Sequence, residues 1–107
     1  MILCANPSAQ FDSYQTEIEE AVLEVMRSNR YVLGEEVASL EKEFADYIET
    51  TSAIGVANGT DAIELALRAL GIGLGDEVIT VSHTAVATIA AIEATGADAV
   101  LVDVEPE

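Results

Sequence analysis

Ala53-Ile54-Gly55-Val56-Ala57-Asn58-Gly59-Thr60-Asp61 decides how this chain is read. The apolar run 53–57 reads as a strand, and an amphipathic helix follows it to about Leu70. A glycine turn that ends a strand and opens a helix leaves backbone N–H groups unpaired at the helix start. Those donors share a direction and the helix dipole adds positive potential, so such a turn suits a phosphate. Gly59 lets a bulky anion approach the backbone, and Thr60 can cap the helix or offer its hydroxyl to the anion. Taken alone the turn is a common one, and most of its kind bind nothing.

Downstream of the turn the pattern alternates. Strands are expected at 53–57, about 77–81 and about 98–103, and helices at about 60–70 and 84–95. Gly71 and Gly96 fall where a left-handed helix end is expected. The later strands are short, apolar and β-branched, the pattern of strands covered on both faces. Such alternation predicts a parallel α/β sheet, whose ligands gather beyond the C-terminal strand ends. Those ends are residues 58–61, 82–84 and 103–105.

Upstream, residues 1–11 read as an extended arm, with Pro7 discouraging helix before it. Asp12 or Ser13 is expected to cap a first helix, with Gln15 completing a capping box. Ile18, Val22, Val25 and Met26 then recur at helical spacing, and Ser28-Asn29-Arg30 closes the helix. Tyr31-Val32-Leu33-Gly34 reads as an extended link. A second helix follows from about Glu35, with Val37, Leu40, Phe44, Tyr47 and Ile48 as its apolar stripe. The organisation is therefore an arm with two helices over 1–52 and a β-α-β-α-β stretch over 53–107.

Composition bounds the class. The 107 residues suffice for one modest core, and the chain stops just after a strand, which reads as the front of something larger. Twenty acidic residues face four basic ones, a formal charge of −16, which disfavours nucleic acid and anionic membranes as partners. The same charge opposes a phosphorylated ligand, so binding one depends on local donors. A lone cysteine, Cys4, forms no internal disulfide, and no signal-like or membrane-length stretch is present, so a cytoplasmic location is expected.

The order and spacing of several segments resemble one family, the pyridoxal-phosphate-dependent sugar aminotransferases of the DegT/DnrJ/EryC1/StrS group. The resemblance runs through Asn6-Pro7-x-x-Gln10-Phe11, Tyr31-Val32-Leu33-Gly34 and Phe44-Ala45-x-Tyr47. It is most specific at Val56-Ala57-Asn58-Gly59-Thr60-Asp61-Ala62, followed by Leu65 to Gly73. Gly75 to Ile79, Ser82-His83-Thr84-x-x-Ala87-Thr88 and the tail Val102-Asp103-Val104 complete it. The fold implied is the N-terminal part of the large domain of a fold-type I aminotransferase, with three mainly parallel strands alternating with helices after two N-terminal helices.

The activity implied is transfer of an amino group, usually from glutamate, onto a keto sugar carried on a nucleotide diphosphate. Pyridoxal 5′-phosphate is the implied cofactor, a homodimer the implied assembly, and a nucleotide sugar and an amino-acid donor the implied ligands. By resemblance Gly59, Thr60 and the backbone of Asp61 would hold the cofactor phosphate, His83 would lie over the pyridine ring, and Tyr31 would approach substrate. The variant Ser82 to Thr88 looks most like members that aminate a 3-keto-6-deoxyhexose on dTDP. Many relatives carry an aromatic residue where this chain has Ala85. The family's Schiff-base lysine and pyridinium carboxylate lie beyond residue 107, and the sole lysine, Lys42, aligns with a solvent-facing helix site. The 107 residues alone are therefore expected to be inactive. No metal site is expected.

Each feature has a plainer alternative. Thr60 and Asp61 can serve only as helix-start residues, His83 as a surface histidine, and Tyr31 as packing. Gly71-Ile72-Gly73-Leu74-Gly75 follows a helix and precedes a strand, the wrong order for a dinucleotide fingerprint. Asp76 and Glu77 begin a strand, opposite the expected ligand edge, and read as structural; Asp103 ends one on the ligand side. A P-loop is disfavoured by the absence of Gly-Lys-Ser/Thr. Two other functions stay open: a related sugar dehydratase, and a truncated, non-enzymatic acidic module that binds a partner through exposed strand edges.

Overall fold

A computed structural model describes residues 4–105; the first three residues of the expected arm and the final Pro106-Glu107 lie outside them. The elements are α1 (Pro7–Ser13), α2 (Gln15–Ser28), α3 (Glu35–Tyr47), α4 (Gly59–Ala69), β1 (Glu77–Val81), α5 (Val86–Thr95) and β2 (Asp98–Val102). They fall into two compact units that divide between Gly55 and Val56. No helix among the described residues is long and apolar enough to cross a membrane.

The first unit holds α1 to α3. Helix replaces the expected extended arm: Pro7 stands in the first turn of α1, and the Asn6 side chain accepts the Ala9 N–H at 3.3 Å. Proline costs nothing there, because its missing N–H would have had no partner and its φ is already helical. The expected capping box is absent as well. Tyr14 occupies the cap position of α2, Ser13 Oγ donates to the Ala9 carbonyl at 2.8 Å, and Gln15 Nε2 donates to Glu19 Oε1 at 2.8 Å. A preceding helix consumed the residues that would have capped the next one. Asn29 ends α2 in the left-handed region at φ 57°. Leu33 in the link also has a positive φ, 52°. α3 buries Ala45 to 6 % exposure, while Leu40 and Phe44 of the expected stripe stay 62 % and 50 % exposed.

The second unit is a βαβ arrangement with α4 packed on α5. β1 and β2 pair in parallel, with Glu77 opposite Asp98 and Val81 opposite Val102. Ala91, Ile92 and Ala97 form its buried apolar centre. The two alanines let α4, α5 and the sheet approach closely around the buried Ile92 side chain. Thr95 is also buried, and its hydroxyl is satisfied: it donates to the Ile92 carbonyl at 2.7 Å and accepts the Ala97 N–H at 3.2 Å. Arg68 reaches across from α4, pairing with Glu64 at 2.8 Å and donating to the Ala94 carbonyl. Gly71 and Gly96 sit just past α4 and α5 at φ +79° and +92°, the left-handed positions expected of them.

Two sheet expectations need correction. Residues 53–57 form no strand, because no strand partner among the described residues takes up their backbone groups. Among the described residues the sheet has two strands, where three were expected. Nor are they covered on both faces: Val78 and Thr80 are half-buried, whereas Ile79 between them is 69 % exposed. α5 packs against both strands, yet one face of the sheet remains open.

Candidate functional site

The turn at 58–61 is built by its asparagine. Asn58 is extended, with φ −163° and ψ 175°, and its Oδ1 accepts the Asp61 N–H at 2.9 Å. Its carbonyl accepts the Ala62 N–H at 3.1 Å, the first rung of α4. Asn58, not Thr60, is therefore the helix cap. An asparagine three residues ahead of an acidic residue is a legible cap pattern. Asn58 Nδ2 also donates to Asp61 Oδ2 at 3.2 Å, so the two side chains hold each other.

This arrangement divides the donors at the helix start. The Asp61 N–H is committed to Asn58. Among the described residues no acceptor meets the N–H groups of Gly59 and Thr60. They open the helix and lie at the positive end of its dipole. Thr60 is half-buried and brings a hydroxyl to the same turn. A Cβ built on Gly59 meets nothing within 4 Å, and its φ is not in the left-handed range. Neither packing nor backbone conformation inside this chain requires glycine there. The bare backbone leaves open space, as close approach by an anion would need. Two free N–H donors, a hydroxyl and an open backbone fit a phosphate group. The adjacent Asp61 carboxylate would repel one, and its hydrogen bond from Asn58 tempers that effect.

His83 lies in the bend after β1 and is exposed. The bend begins with Ser82, whose N–H donates to the Val102 carbonyl at 3.0 Å, carrying the parallel ladder one step beyond the strands. Thr84 and Thr88 share a hydrogen bond between hydroxyls at 3.1 Å, and Ala85 occupies the cap position of α5 with no side-chain cap. Asp103 follows β2, on the same edge of the sheet as Ser82. Its carboxylate accepts the N–H of its own neighbour, Val104, at 2.9 Å. Glu77 starts β1 at the opposite end of the ladder from His83, with Asp76 just before it. Asp76 bonds the Gly73 N–H at 2.8 Å, a turn-forming role.

Tyr31 belongs to the other unit, where its hydroxyl donates to the Met26 carbonyl at 3.2 Å. Lys42 is exposed on α3. Surface hollows in that unit, one lined by charged residues such as Glu24, Arg30 and Glu35 and one by Leu40, Phe44 and Ile54, include none of the sequence-predicted site residues.

Comparison with known proteins bears on the whole chain. The family model of the DegT/DnrJ/EryC1/StrS aminotransferase family matches residues 12–107. A dTDP-3-amino-3,4,6-trideoxy-alpha-D-glucose transaminase of Streptomyces venezuelae is 50 % identical over 95 residues, 89 % of this chain and 25 % of that protein. The crystal structure of S. venezuelae DesV in complex with a ketimine intermediate superposes with a TM-score of 0.89 at 48 % identity, covering 92 % of this chain and 26 % of that one. The PLP form of a putative sugar aminotransferase of Streptococcus pneumoniae superposes with a TM-score of 0.79 at 35 % identity, covering 85 % of this chain and 23 % of that one. The chain thus spans about a quarter of the length of the relatives it matches.

Proposed function

The chain belongs to the DegT/DnrJ/EryC1/StrS aminotransferase family, and from that membership we propose that its residues form the cofactor-phosphate end of a nucleotide-sugar aminotransferase. The reaction is transfer of an amino group from an amino acid, glutamate in the simplest case, to a keto-deoxy sugar carried on a nucleotide diphosphate. The observation that carries this reading is the turn at 58–61, where among the described residues the Gly59 and Thr60 N–H groups at the start of α4 have no acceptor. The similarity to a dTDP-3-amino sugar transaminase supports a dTDP-linked 3-keto-6-deoxyhexose as the acceptor.

Pyridoxal phosphate, when bound, supplies the electron sink on which an amino group can be parked and passed on. The chain's own contribution is placement. Gly59 and Thr60 hold the phosphate by backbone donors and one hydroxyl, and Asn58 keeps the Asp61 carboxylate engaged. His83, after the neighbouring strand, faces the ring, and Tyr31 contributes to substrate binding. The small Ala85 leaves that stacking to His83. Lys42, exposed on α3, does not carry the cofactor. That role falls to a lysine supplied by further sequence, and the 107 residues alone are inactive. The working enzyme is a cytoplasmic homodimer.

The test uses a full polypeptide that carries these residues together with the family's lysine. Thr60→Ala should weaken pyridoxal phosphate binding about tenfold, as loss of a hydrogen bond to a charged group would. Titration by visible absorbance reads this directly. Wild-type affinity in that variant would remove the Thr60 hydroxyl from the site and leave the backbone donors as the chain's only hold on the phosphate. Mass analysis of the products from glutamate and a dTDP-linked 3-keto-6-deoxyhexose tests the substrate class.

A further inference from the structure

Asn58 does two things with one amide. Its Oδ1 accepts the Asp61 N–H at 2.9 Å, and that bond fixes which way the amide points. Nδ2 is thereby turned to the Asp61 side chain and donates to Oδ2 at 3.2 Å. Both residues belong to the same compact unit and stand three positions apart, so the pairing is local. Asp61 is half-buried and is the acidic residue of the first turn of α4. Among the described residues the Gly59 and Thr60 N–H groups of that turn have no acceptor. The positive end of a helix draws a carboxylate as readily as a phosphate. A short acidic side chain left free also bonds backbone N–H groups near it. The turn thus carries its own competitor for an anion.

We infer that Asn58 is a positioning residue for cofactor binding: it holds the Asp61 carboxylate aside and keeps it from competing with the phosphate. The inference rests on the cofactor reading given above and deepens it. A helix cap needs only the Oδ1 bond, which serine or aspartate would also supply. The Nδ2 bond is what asparagine adds. An aspartate at 58 would bring a second carboxylate, and a serine has a single oxygen that the cap already engages. Replacing Asn58 also frees the Asp61 N–H, which by itself favours an anion. The released carboxylate opposes it, and a full charge outweighs one N–H dipole.

The experiment is a double-mutant cycle on pyridoxal phosphate affinity, read by visible absorbance in the full polypeptide. Asn58→Ala should weaken binding about tenfold in the wild-type background. In an Asp61→Ala background the same substitution should change affinity by about twofold or less. An equal loss in both backgrounds would reduce Asn58 to a cap and overturn the proposal. So would wild-type affinity in Asn58→Ala. Gly59→Pro separates this inference from the cofactor reading. Proline suits the first helical position after an extended residue, yet it removes one donor and fills the open backbone. If Gly59→Pro weakens binding about tenfold while the cycle shows no coupling, the turn stands and the holding role falls. If Gly59→Pro binds like wild type, both fall. Should Asn58→Ala not fold, Asn58→Ser enters the same cycle; it keeps a cap oxygen, and an equal loss in both backgrounds there would also overturn the proposal.

Discussion

Asn58 governs the local chemistry of the turn more than either of its glycine and threonine neighbours. It caps α4 through Oδ1 and engages the Asp61 carboxylate through Nδ2. Asn58→Ala should therefore cost about 1 kcal/mol of stability, the usual loss for a capping side chain, measured by denaturant unfolding. It would also free the Asp61 N–H as a third donor while releasing an acidic side chain beside the phosphate position. The cap was legible as a pattern but not as an assignment, because asparagine, threonine and aspartate all compete for it. Thr60 lost that competition by standing one turn position too late: a cap must precede the helix, and α4 already begins at Gly59.

At the scale of elements, α5 organises the second unit. It packs on α4, β1 and β2, and its Ile92 is 1 % exposed while Ala91 is fully buried. Ile92→Ala should destabilise that unit by roughly 2–5 kcal/mol, the range for emptying a tightly packed site. Unfolding followed by far-ultraviolet circular dichroism would show it. The helices after the turn and the strands β1 and β2 were legible from apolar periodicity and glycine placement. Two other elements differ from expectation among the described residues. Pro7 marks where α1 begins, and the run 53–57 has strand composition without a ladder. A strand is a property of two backbones, so no sequence of five residues can declare it alone.

Taken whole, the chain shows much more apolar surface than its charge would suggest. Ile79 and Leu101 on the sheet, Leu74 near α5, and Val32 and Leu33 in the link are all more than half exposed. The formal charge of −16 holds copies apart in dilute salt. Added salt shortens the screening length to about 10 Å at 0.1 M, which removes that repulsion and leaves the apolar surface. The 107-residue chain is therefore expected to be monomeric in low salt and to self-associate as salt rises, read by multi-angle light scattering. Association that falls with salt would instead point to attractive charge contacts between copies.

The sequence by itself determined the alternation of helix and strand beyond residue 58, the glycine turn, and a family resemblance that the comparison with known proteins bears out over residues 12–107. These are local matters: periodicity, cap chemistry and turn residues act within a few positions of one another. Tertiary structure decided that Asn58 caps and Thr60 does not, that β1 and β2 pair while 53–57 stays unladdered, and that Glu41 reaches Gly55. A ladder, the face a helix covers and a carboxylate–backbone bond across fourteen residues depend on which segments meet. That choice is made by packing the chain as a whole, not by any window along it.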